Sequence, residues 1–570
     1  MISQRHNLPE LLGRVLAGRG IIDDTVETFL NPTLKALMPA PSSLQDMESG
    51  AERIASAITN GEKMAVIGDY DVDGATSSAL LLQFFRACGS DADVHIPDRL
   101  KEGYGPSVLA IEKLAKNGAK LLITVDCGIA AHDPLEHAAT LGLDVVIIDH
   151  HQAGEDLPKA AAVVNPNRQD DISGQGNLAA VGVAFLMVAT IARNLRNSGW
   201  FDETRPAPDL LSWLDIVALG TVCDMVPLTG LNRAFVKQGL KVMGNRTNPG
   251  LARLCDVARL SRRPDTFSLG FTLGPRINAA GRLGQSNLGL RLLTTKDTGE
   301  AAEIAANLER LNRERQDIEI NTVDQAVLQA ERALGEQSKL PVIVAAGEGW
   351  HPGVLGLVAS RLKERFGRPA IAIGYGKDQP LATGSGRSIS NVDLGTAIRH
   401  AVENGILLKG GGHAMAAGLT IERDKLGELR AFLEEELGAA STESQAGACL
   451  EIDGALAAGG ANLELISLLE AAGPYGIGNP NPVFVFPAHR VVYADLAGKD
   501  HVRCTLQAGD GARLKAIAFR AVGTDMGELL LSERQMPLHI AGRISANDWG
   551  GKRTPQLIID DVARPERAGA

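Results

Sequence analysis

The sequence lacks the features that mark secreted, membrane-spanning and zinc-stapled proteins. Its six cysteines include no pair at C-x-x-C spacing, so neither a zinc ribbon nor a disulfide framework is indicated. No run approaches the ~20 apolar residues of a membrane helix, and the first residues lack the basic-then-apolar order of a signal peptide. We therefore expect a cytoplasmic protein without a membrane partner.

The sequence also has no net positive charge. The net charge of −11 argues against indiscriminate coating of nucleic acid. Because salt confines surface fields to ~10 Å, a local basic channel is not excluded. With 570 residues the chain is too long for one core, and it predicts three or four domains.

What the sequence does contain is a crowded acidic loop. The apolar run Met64 to Ile67 predicts a buried strand, and residues 68–74 follow it as Gly-Asp-Tyr-Asp-Val-Asp-Gly. Asp69, Asp71 and Asp73 therefore crowd into one turn. Like charges at such spacing cannot all stay ionised without a cation or a raised pKa. The simplest cation is a divalent metal.

Strands and helices alternate beyond this loop, which predicts βαβ units and a parallel sheet covered on both faces. The further strand-like runs are Asp93 to Ile96, Leu121 to Val125, Asp144 to Ile148 and Ala161 to Val164. The helical segments are Ala51 to Thr59, Thr76 to Cys88, Pro106 to Asn117 and Ala131 to Leu141.

Three more polar clusters follow predicted elements of this domain. Asp126 comes after one strand; Asp149, His150 and His151 come after the next; and Asp224 follows an apolar helix. One Asp after a strand is usually a helix N-cap, and one His is usually a surface or core residue. Four clusters that could share one sheet edge are much harder to attribute to capping, so we expect a metal site there.

The types of ligand narrow the chemistry. Carboxylates and imidazoles without thiolate suit Mn²⁺ well, suit Mg²⁺ less well, and disfavour structural zinc. Five or more carboxylates exceed what one ion needs, so a pair of ions about 3.5–4 Å apart is expected. Such a pair can clamp both sides of an in-line phosphoryl displacement. Hydrolysis of a phosphate ester is the reaction that fits.

The chain resembles the DHH phosphoesterase superfamily in four motifs taken together. They are the acidic loop, Val-Asp-Cys-Gly, Asp149-His150-His151 and Cys-Asp-Met-Val-Pro. The manganese pyrophosphatases and nano-RNases of this superfamily begin the first motif with histidine, whereas this chain has Asp69. In that respect the chain is similar to the RecJ family of exonucleases. The resemblance implies 5′→3′ release of 5′-mononucleotides from single-stranded DNA in repair and recombination, with two Mn²⁺ or Mg²⁺ ions.

The resemblance also implies roles for individual residues. Asp126 would bridge the ions, His151 would contact the scissile phosphate, and Asp149 would orient the ring of His150 through its N–H. With Asp69, these residues would form the catalytic group. The implied metal ligands are Asp69, Asp71, Asp73, Asp126, His150 and Asp224.

Two segments follow the predicted metal domain. Residues 274–282 contain glycines and two arginines, and we interpret them as a phosphate-gripping loop, with a plain interdomain loop as the alternative. Residues 297–334 predict a solvated connector helix that would span ~57 Å if unbroken. Such a helix could hold two domains apart with a cleft between them.

The next domain resembles the DHHA1 substrate-binding domain. It predicts strands at Pro341 to Ala345 and Pro369 to Ile373, the intervening helix Val354 to Phe366, and glycine-rich loops near residues 384–388 and 410–418. Glycine there would let the backbone approach a sugar-phosphate closely. The residues implied to grip the 5′ end are Arg99, Arg276, Arg282, Ser385, Arg387, His413, Gly411 and Gly412.

The last part of the chain predicts a small barrel of short strands. Basic residues interspersed with Phe519 and Trp549 would suit single-stranded nucleic acid, although an ordinary barrel with core aromatics fits equally well. The family resemblance implies an OB-fold and favours binding. The predicted strands are Val483 to Phe486, His489 to Tyr493, Val502 to Gln507, Leu514 to Phe519, Leu538 to Ile544 and Gln556 to Ile559. The basic residues are Arg503, Arg513, Lys515, Arg543, Lys552 and Arg553.

The expected architecture is an α/β protein: a parallel-sheet DHH domain, a long helix, a smaller α/β DHHA1 domain and an OB-like β-barrel. The expected bounds are 1–50 for an N-terminal helical segment on the outside of the first domain, 51–295, 296–336, 337–440 and 450–566. We expect a monomer, and the resemblance implies single-strand-binding protein and a RecQ-type helicase as partners. A phosphodiesterase for short or cyclic oligonucleotides and a non-catalytic scaffold are the alternatives.

Overall fold

The computed structural model describes residues 2–260, 262–336, 340–446, 449–533, 536–549 and 552–565, with the side chains of 336, 442–446 and 549 left out. Within these ranges the strands form a five-stranded, a second five-stranded and a six-stranded sheet. None of the described helices combines the length and the apolar character needed to cross a membrane.

The N-terminal segment joins two parts of the molecule. Leu34 and Leu37 pack against the core of the first domain, whereas Val15 lies in the core of the C-terminal barrel. The segment thus contacts the first domain, where we expected it, and it also contacts the barrel, which we did not expect. Its helices are α1 (Ile2–Arg5), α2 (Glu10–Gly18), α3 (Val26–Leu30) and α4 (Leu34–Leu37).

The first domain is built on a parallel sheet of order β2-β1-β3-β4-β5. The central strands are buried along nearly their whole length, which explains why they read as continuous apolar runs. The elements are α5 (Met47–Thr59), β1 (Met64–Gly68), α6 (Val72–Ala87), β2 (Ala92–His95), α7 (Val108–Lys116), β3 (Leu121–Val125), α8 (His132–Thr140), β4 (Asp144–Ile148) and β5 (Ala162–Val164).

Helices complete this domain, and one of them replaces a predicted loop. Residues 274–282 form a helix because Ile277 and its alanine neighbours are buried. Its glycines serve close packing: a Cβ at Gly281 would lie 2.7 Å from the carbonyl oxygen of Tyr70, and one at Gly274 would lie 2.5 Å from Sγ of Cys223. The elements are α9 (Ala180–Asn197), α10 (Leu214–Cys223), α11 (Gly230–Gly244), α12 (Pro249–Val257), a π-helix (Ser268–Leu273), α13 (Gly274–Arg282) and α14 (Leu288–Thr294).

The long helix α15 (Thr298–Glu336) connects the first and second domains as expected, but it is not solvated along its length. Leu308 and Leu311 are buried in the core of the first domain, and Ile318 packs against the core of the second. Between them, Arg315 pairs with Glu319, and both side chains are only 10% exposed. The helix therefore fixes the two domains against each other.

The second domain contains a mixed sheet of order β6-β7-β8-β10-β9. Its glycine-rich stretches form strands and not the predicted loops. Glycine at 386 leaves room for Leu394, which a Cβ would meet at 2.6 Å. The elements are β6 (Ile343–Glu348), α16 (Leu355–Phe366), β7 (Ala370–Tyr375), β8 (Leu381–Arg387), α17 (Leu394–Glu403), β9 (Lys409–His413), β10 (Ala416–Glu422) and α18 (Leu426–Ala446).

The C-terminal domain is a five-stranded barrel of order β12-β13-β14-β16-β15. The first strand in this order, β12, pairs with its neighbour β13 and also with the last strand, β15, which closes the barrel. This confirms the predicted OB-like barrel. The elements are β11 (Gly454–Ala455), α19 (Leu463–Ala471), β12 (Phe484–Ala497), β13 (His501–Gln507), β14 (Arg513–Ala518), α20 (Asp525–Ser532), β15 (Pro537–Trp549) and β16 (Lys552–Ala563).

A buried arginine fastens the barrel to the first domain. Arg233, on α11, is 1% exposed. Its guanidinium donates to the carbonyl oxygens of Phe29 at 2.8 Å, Ala472 at 2.9 Å and Gly473 at 2.6 Å. Three separate segments of the chain thus meet at one cation.

Candidate metal centre

The predicted polar clusters meet at one edge of the first sheet. Strands β3 and β4 are parallel neighbours, and the ladder continues past their ends, where the amide of Asp126 donates to the carbonyl of Ile148 at 3.0 Å. The amide of Asp149 donates to Val164 at 3.0 Å in the same way. The side chains that follow these strands are consequently brought side by side.

The acidic loop is held tightly at the start of α6. Asp71 caps this helix, because its Oδ1 accepts from the amides of Asp73 at 2.9 Å and Gly74 at 3.1 Å. A Cβ at residue 74 would lie 2.3 Å from the carbonyl oxygen of Asp69. Glycine at this position therefore allows the helix to begin directly against the loop.

The predicted ligands form overlapping groups in which one donor atom from each residue lies within 4.8 Å of the others. One group contains Asp69, Asp71 and Asp126, and a second contains Asp73, His150 and Asp224. A third links them, because Asp126 and His150 recur in it beside His151. Two separate groups that a third group links fit a pair of ions better than a single ion.

Several of these donor atoms have no hydrogen-bond partner among the described residues, although they are buried. They are Oδ1 of Asp69, Nε2 of His150 and Oδ2 of Asp224. Nε2 of His150 lies 3.3 Å from Oδ1 of Asp126 and 3.6 Å from Oδ2 of Asp224. Buried polar atoms are normally paired. These unpaired oxygen and nitrogen donors therefore fit Mn²⁺ or Mg²⁺, which prefer such ligands.

Burial and mutual repulsion oppose ionisation of these carboxyl groups. Burial, followed by the charge of Asp71, raises the pKa of Asp69 to about 8 and that of Asp73 to about 7. Burial and the neighbouring aspartates raise the pKa of Asp224 to about 9 and that of Asp126 well above its ordinary value. Burial lowers the pKa of His150 to about 4. A cluster with this balance gains stability when it binds a cation.

Asp73 has additional partners at the N-terminus of α9. Its carboxylate accepts from the amides of Ala180 at 2.7 Å and Val181 at 3.0 Å. The helix dipole favours a negative charge at that end. Asp126 has a positive φ of 59°, an uncommon conformation that Asp tolerates better than most residues. Both features direct carboxylates toward the shared edge.

Asp149 holds the neighbouring histidine, and this corrects the prediction that it orients His150. Its Oδ1 lies 2.7 Å from Nδ1 of His151, and its Oδ2 accepts from the amide of Ile129 at 3.0 Å. The hydrogen bond and charge of Asp149 outweigh burial and raise the pKa of His151. His150 instead forms a backbone hydrogen bond with Leu178.

Tyr104 is a site residue that the sequence reasoning missed. Its hydroxyl donates to the carbonyl oxygen of Asp126 at 3.0 Å and lies 3.2 Å from Nδ1 of His151. The residue is 51% exposed, so part of its ring faces outward. Two glycines with positive φ, Gly103 and Gly105, flank it. That Gly-Tyr-Gly pattern is the signal that could have identified it.

A group of arginines lies beside the metal centre. Burial and the charges of Arg99 and Arg387 lower the pKa of Arg282 to about 10, and burial and Arg99 lower the pKa of Arg387. The guanidinium carbon of Arg99 lies 4.9 Å from the ring centroid of Tyr70, inside the acidic loop. Cations that raise each other's energy in this way form a site for an anion.

The predicted binding residues of the second domain lie in register. Nη1 of Arg387 donates to Oγ of Ser385 at 3.1 Å on β8. The ladder places His413 two strands away, since Ala416 pairs with both Arg387 and His413. Gly411 and Gly412 lie on the same strand, and a Cβ at Gly411 would meet nothing within 4 Å. Gly411 therefore leaves open space on β9, whereas a Cβ at Gly412 would lie 2.2 Å from the carbonyl oxygen of Ala416.

Arg276 is not part of this group of arginines. Its Nε donates to Glu309 on α15 at 2.7 Å, and its Nη1 donates to the carbonyl of Thr272 at 2.6 Å. By contrast, Arg282 reaches the second domain, where its Nη1 donates to the carbonyl of Gly353 at 2.7 Å. Of the two arginines predicted on this segment, Arg282 is the one that contacts the second domain.

A parallel-sheet edge with convergent carboxylates and imidazoles, beside an arginine-lined second domain, defines a metal-dependent phosphoesterase of the DHH class. Three families match the chain: "DHH family, N-terminal domain" over residues 63–221, "DHHA1 domain" over 339–439 and "RecJ OB domain" over 452–561. The chain belongs to the RecJ family of single-stranded-DNA-specific exonucleases.

Individual relatives support this assignment. The "Single-stranded-DNA-specific exonuclease RecJ" of Escherichia coli (strain K12) is 37% identical over 97% of this chain and 96% of that protein. The crystal structure of RecJ from Thermus thermophilus in complex with Mn²⁺ is similar to this structure, with a TM-score of 0.79 and 28% sequence identity. The match covers 99% of this chain and 78% of the Thermus chain. A further crystal structure, of an exonuclease RecJ bound to manganese, matches with a TM-score of 0.59 and 32% sequence identity. This match covers 70% of this chain and 97% of the other chain. These matches confirm the predicted family and fold class.

Proposed function

We propose that this protein is a metal-dependent exonuclease that removes 5′-mononucleotides from single-stranded DNA in the 5′→3′ direction, in DNA repair and recombination. One observation carries the proposal: the overlapping ligand groups lie directly beside the arginines of the cleft. The relatives are named single-stranded-DNA-specific exonucleases, and solved members of the family contain Mn²⁺ or Mg²⁺.

The metal centre would hold two Mn²⁺ or Mg²⁺ ions, which when bound supply Lewis acidity and a nucleophile for phosphodiester hydrolysis. The ligands would be Asp69, Asp71, Asp73, Asp126, His150 and Asp224. Beside them, Asp149 and Tyr104 hold the imidazole of His151 in place. We assign His151 to donate a hydrogen bond to the scissile phosphate, where charge develops during the reaction.

The polarity of digestion follows from where a terminal phosphate can bind. We assign the 5′-phosphate to Arg99, Arg282 and Arg387, with Ser385 beside them. Arg99 lies near enough to lower the pKa of Asp69, against the larger effect of burial. The first phosphodiester bond beyond an anchored 5′-phosphate would then reach the metal centre, and each cut would release one nucleotide.

The barrel would hold the rest of the strand. On its outer face, Arg490, Gln507 and Arg513 form one row of the sheet, and Tyr493, Thr505 and Lys515 form the next. Phe519 is 52% exposed and is not a core aromatic. The side chain of Trp549 lies outside the described residues. Exposed rings beside cations suit a single strand without regard to its base sequence.

The test is release of mononucleotides from strands blocked at one end. With Mn²⁺ present, a 3′-blocked strand should be degraded and a 5′-blocked strand should persist, whereas chelation should stop both reactions. Degradation of the 5′-blocked strand at an equal rate would contradict the polarity. Absence of any metal-dependent release would contradict the function.

We further propose the domain bounds 1–50, 51–295, 296–336, 337–440 and 450–566, a cytoplasmic location and a monomeric state. Single-strand-binding protein and a RecQ-type helicase are the partners that the family resemblance supports. Size-exclusion chromatography with light scattering tests the monomeric state, and a dimer at micromolar concentration would contradict it.

A further inference from the structure

An exposed aromatic pair lies near the metal centre, outside the residues that would hold the metal ions or the 5′-phosphate. The rings of Phe267 and Phe271 are stacked, with centroids 5.1 Å apart and planes at 27°. They are 61% and 65% exposed. Phe267 immediately precedes the π-helix Ser268–Leu273 and Phe271 lies within it, and π-helical turns are frequent at functional sites. Two large rings facing water together call for a partner with a flat apolar face.

The pair is placed on the path of the proposed substrate. The opposite side of the π-helix contacts the end of α10, where Sγ of Cys223 lies 3.4 Å from the carbonyl oxygen of Leu269. The residue after Cys223 is the metal ligand Asp224. The π-helix continues into α13, which ends at Arg282, one of the three arginines to which we assign the 5′-phosphate. About 11 residues of helix separate Phe271 from Arg282, or roughly 16 Å.

Positive charge and the barrel lie on the other side. Arg262 and Arg263 are exposed a few residues before Phe267, and Arg262 pairs with Asp265 at 3.1 Å. Oγ1 of Thr266 donates to the carbonyl of Tyr475 at 2.8 Å, in the segment that leads to the barrel. The aromatic pair therefore lies between the metal centre and the barrel, next to cations.

We propose that Phe267 and Phe271 form a stacking platform for nucleobases of the single strand, several nucleotides on the 3′ side of the bond that is cut. Arg263 would face the neighbouring phosphates. The proposal rests on the proposed function and adds a binding site to it. A phenylalanine ring stacks on any base, so this platform would add affinity without base preference.

The test compares oligonucleotides with and without bases. In Ca²⁺, without cleavage, the Phe267→Ala/Phe271→Ala variant should bind an ordinary 12-mer roughly 5- to 100-fold more weakly than the unaltered protein. On a 12-mer with abasic residues at the central positions, the two proteins should bind equally. In Mn²⁺, hydrolysis of a 5′-phosphorylated dinucleotide should be unchanged, because this substrate is too short to reach the platform.

Two further variants separate stacking from folding. Phe267→Tyr/Phe271→Tyr keeps both rings and should retain affinity for the ordinary strand. Leu109→Ala alters a side chain that is 79% exposed on α7, and it should change nothing. Loss of affinity in the tyrosine variant, as in the alanine variant, would overturn the proposal.

Other results would overturn the platform while leaving the exonuclease intact. Equal affinity of the alanine variant and the unaltered protein for the ordinary 12-mer is one. An equal loss on the abasic strand is another. A loss of self-association with unchanged DNA binding would assign the surface to a second copy of the chain. If instead the unaltered protein bound single strands but released no mononucleotide, the exonuclease assignment would fail and the platform would stand.

Discussion

Nε2 of His150 lies 3.3 Å from Oδ1 of Asp126, although the two residues follow different strands. These strands, β4 and β3, are neighbours in the sheet. Asp126 and His150 are also the members that the ligand groups share. Their placement makes this pair the centre of the site.

Replacing Asp126 with asparagine should lower turnover of single-stranded DNA by roughly a hundredfold or more, because a shared metal ligand loses its charge. Binding of a single strand should survive, since the arginines and barrel are untouched. Asp133→Asn, on the outer helix α8, is the matched control. Turnover that persists in Asp126→Asn would refute the shared role of this carboxylate.

The contact between Asp149 and His151 predicts a kinetic signature. Asp149→Asn should reduce kcat by about 10- to 100-fold, as loss of an orienting partner usually does. KM should change little, because neither residue belongs to the arginine pocket. Tyr104→Phe removes the second contact to this imidazole and should give a smaller loss in kcat. A rise in KM with unchanged kcat would assign these residues to substrate binding.

The arginines to which we assign the 5′-phosphate (Arg99, Arg282 and Arg387) predict a preference for strands with a 5′-phosphate over strands with a 5′-hydroxyl. Arg387→Ala should reduce the preference for 5′-phosphorylated over 5′-hydroxyl strands about tenfold or more, because charge-assisted hydrogen bonds contribute ~1.5–3 kcal/mol. Arg276→Ala is the matched control, since its guanidinium is paired with Glu309. An unchanged ratio in Arg387→Ala would reassign that arginine to structure.

The raised pKa values predict how metal affects stability at different pH. Folding raises the pKa of Asp69, Asp73 and Asp224 to about 8, 7 and 9. Their stabilising contribution to the metal-free fold is complete below about pH 4 and is lost as pH rises through these values. A bound cation removes that loss. The difference in Tm between Mn²⁺ and chelator should therefore grow between pH 6 and pH 9.

The same measurement has a direct control. Asp224→Asn removes one of the opposing charges, so the metal-free variant should lose less stability with rising pH than the unaltered protein. Metal stabilisation should fall at the same time. A difference in Tm that stays constant from pH 6 to pH 9 would contradict the coupling between these carboxyl groups and the cation.

Arg233 predicts an effect on the barrel far from the metal. Arg233→Ala would leave the carbonyls of Phe29 and Gly473 buried without the donor that they have now, whereas Ala472 would keep its hydrogen bond from Asn479. The loss should cost about 3 kcal/mol. Calorimetry should show an earlier transition, and affinity for long strands should fall while dinucleotide hydrolysis persists. Lys241→Ala, an exposed change on the same helix, is the control. An unchanged thermogram would remove Arg233 from the interface.

Strand ends were the most informative part of the sequence. Asp126 and Asp149 each follow an apolar run of strand length, and parallel strands necessarily end at a common edge. The convergence of ligands distant in the chain could therefore be predicted. The partner of Asp149 could not, because residues 150 and 151 are both histidine and only the backbone turn decides which ring faces its carboxylate.

Glycines were the least informative. In the sequence, Gly274 and Gly281 resemble residues of a loop, yet they lie in α13 against Cys223 and Tyr70. A glycine that permits a turn and one that permits close packing look the same until the neighbour is known. The charged residues of α15 led us to expect a solvated helix for a similar reason. Arg315 and Glu319 are buried together, although such residues usually face water.

The most direct test of the central claim is the anomalous scattering of manganese from a crystal soaked in Mn²⁺. The account predicts two peaks within the cluster, one beside Asp69 and Asp71, one beside Asp73 and Asp224, with Asp126 or His150 contacting both. A single peak elsewhere, or ligand side chains turned away from the bound ions, would contradict it.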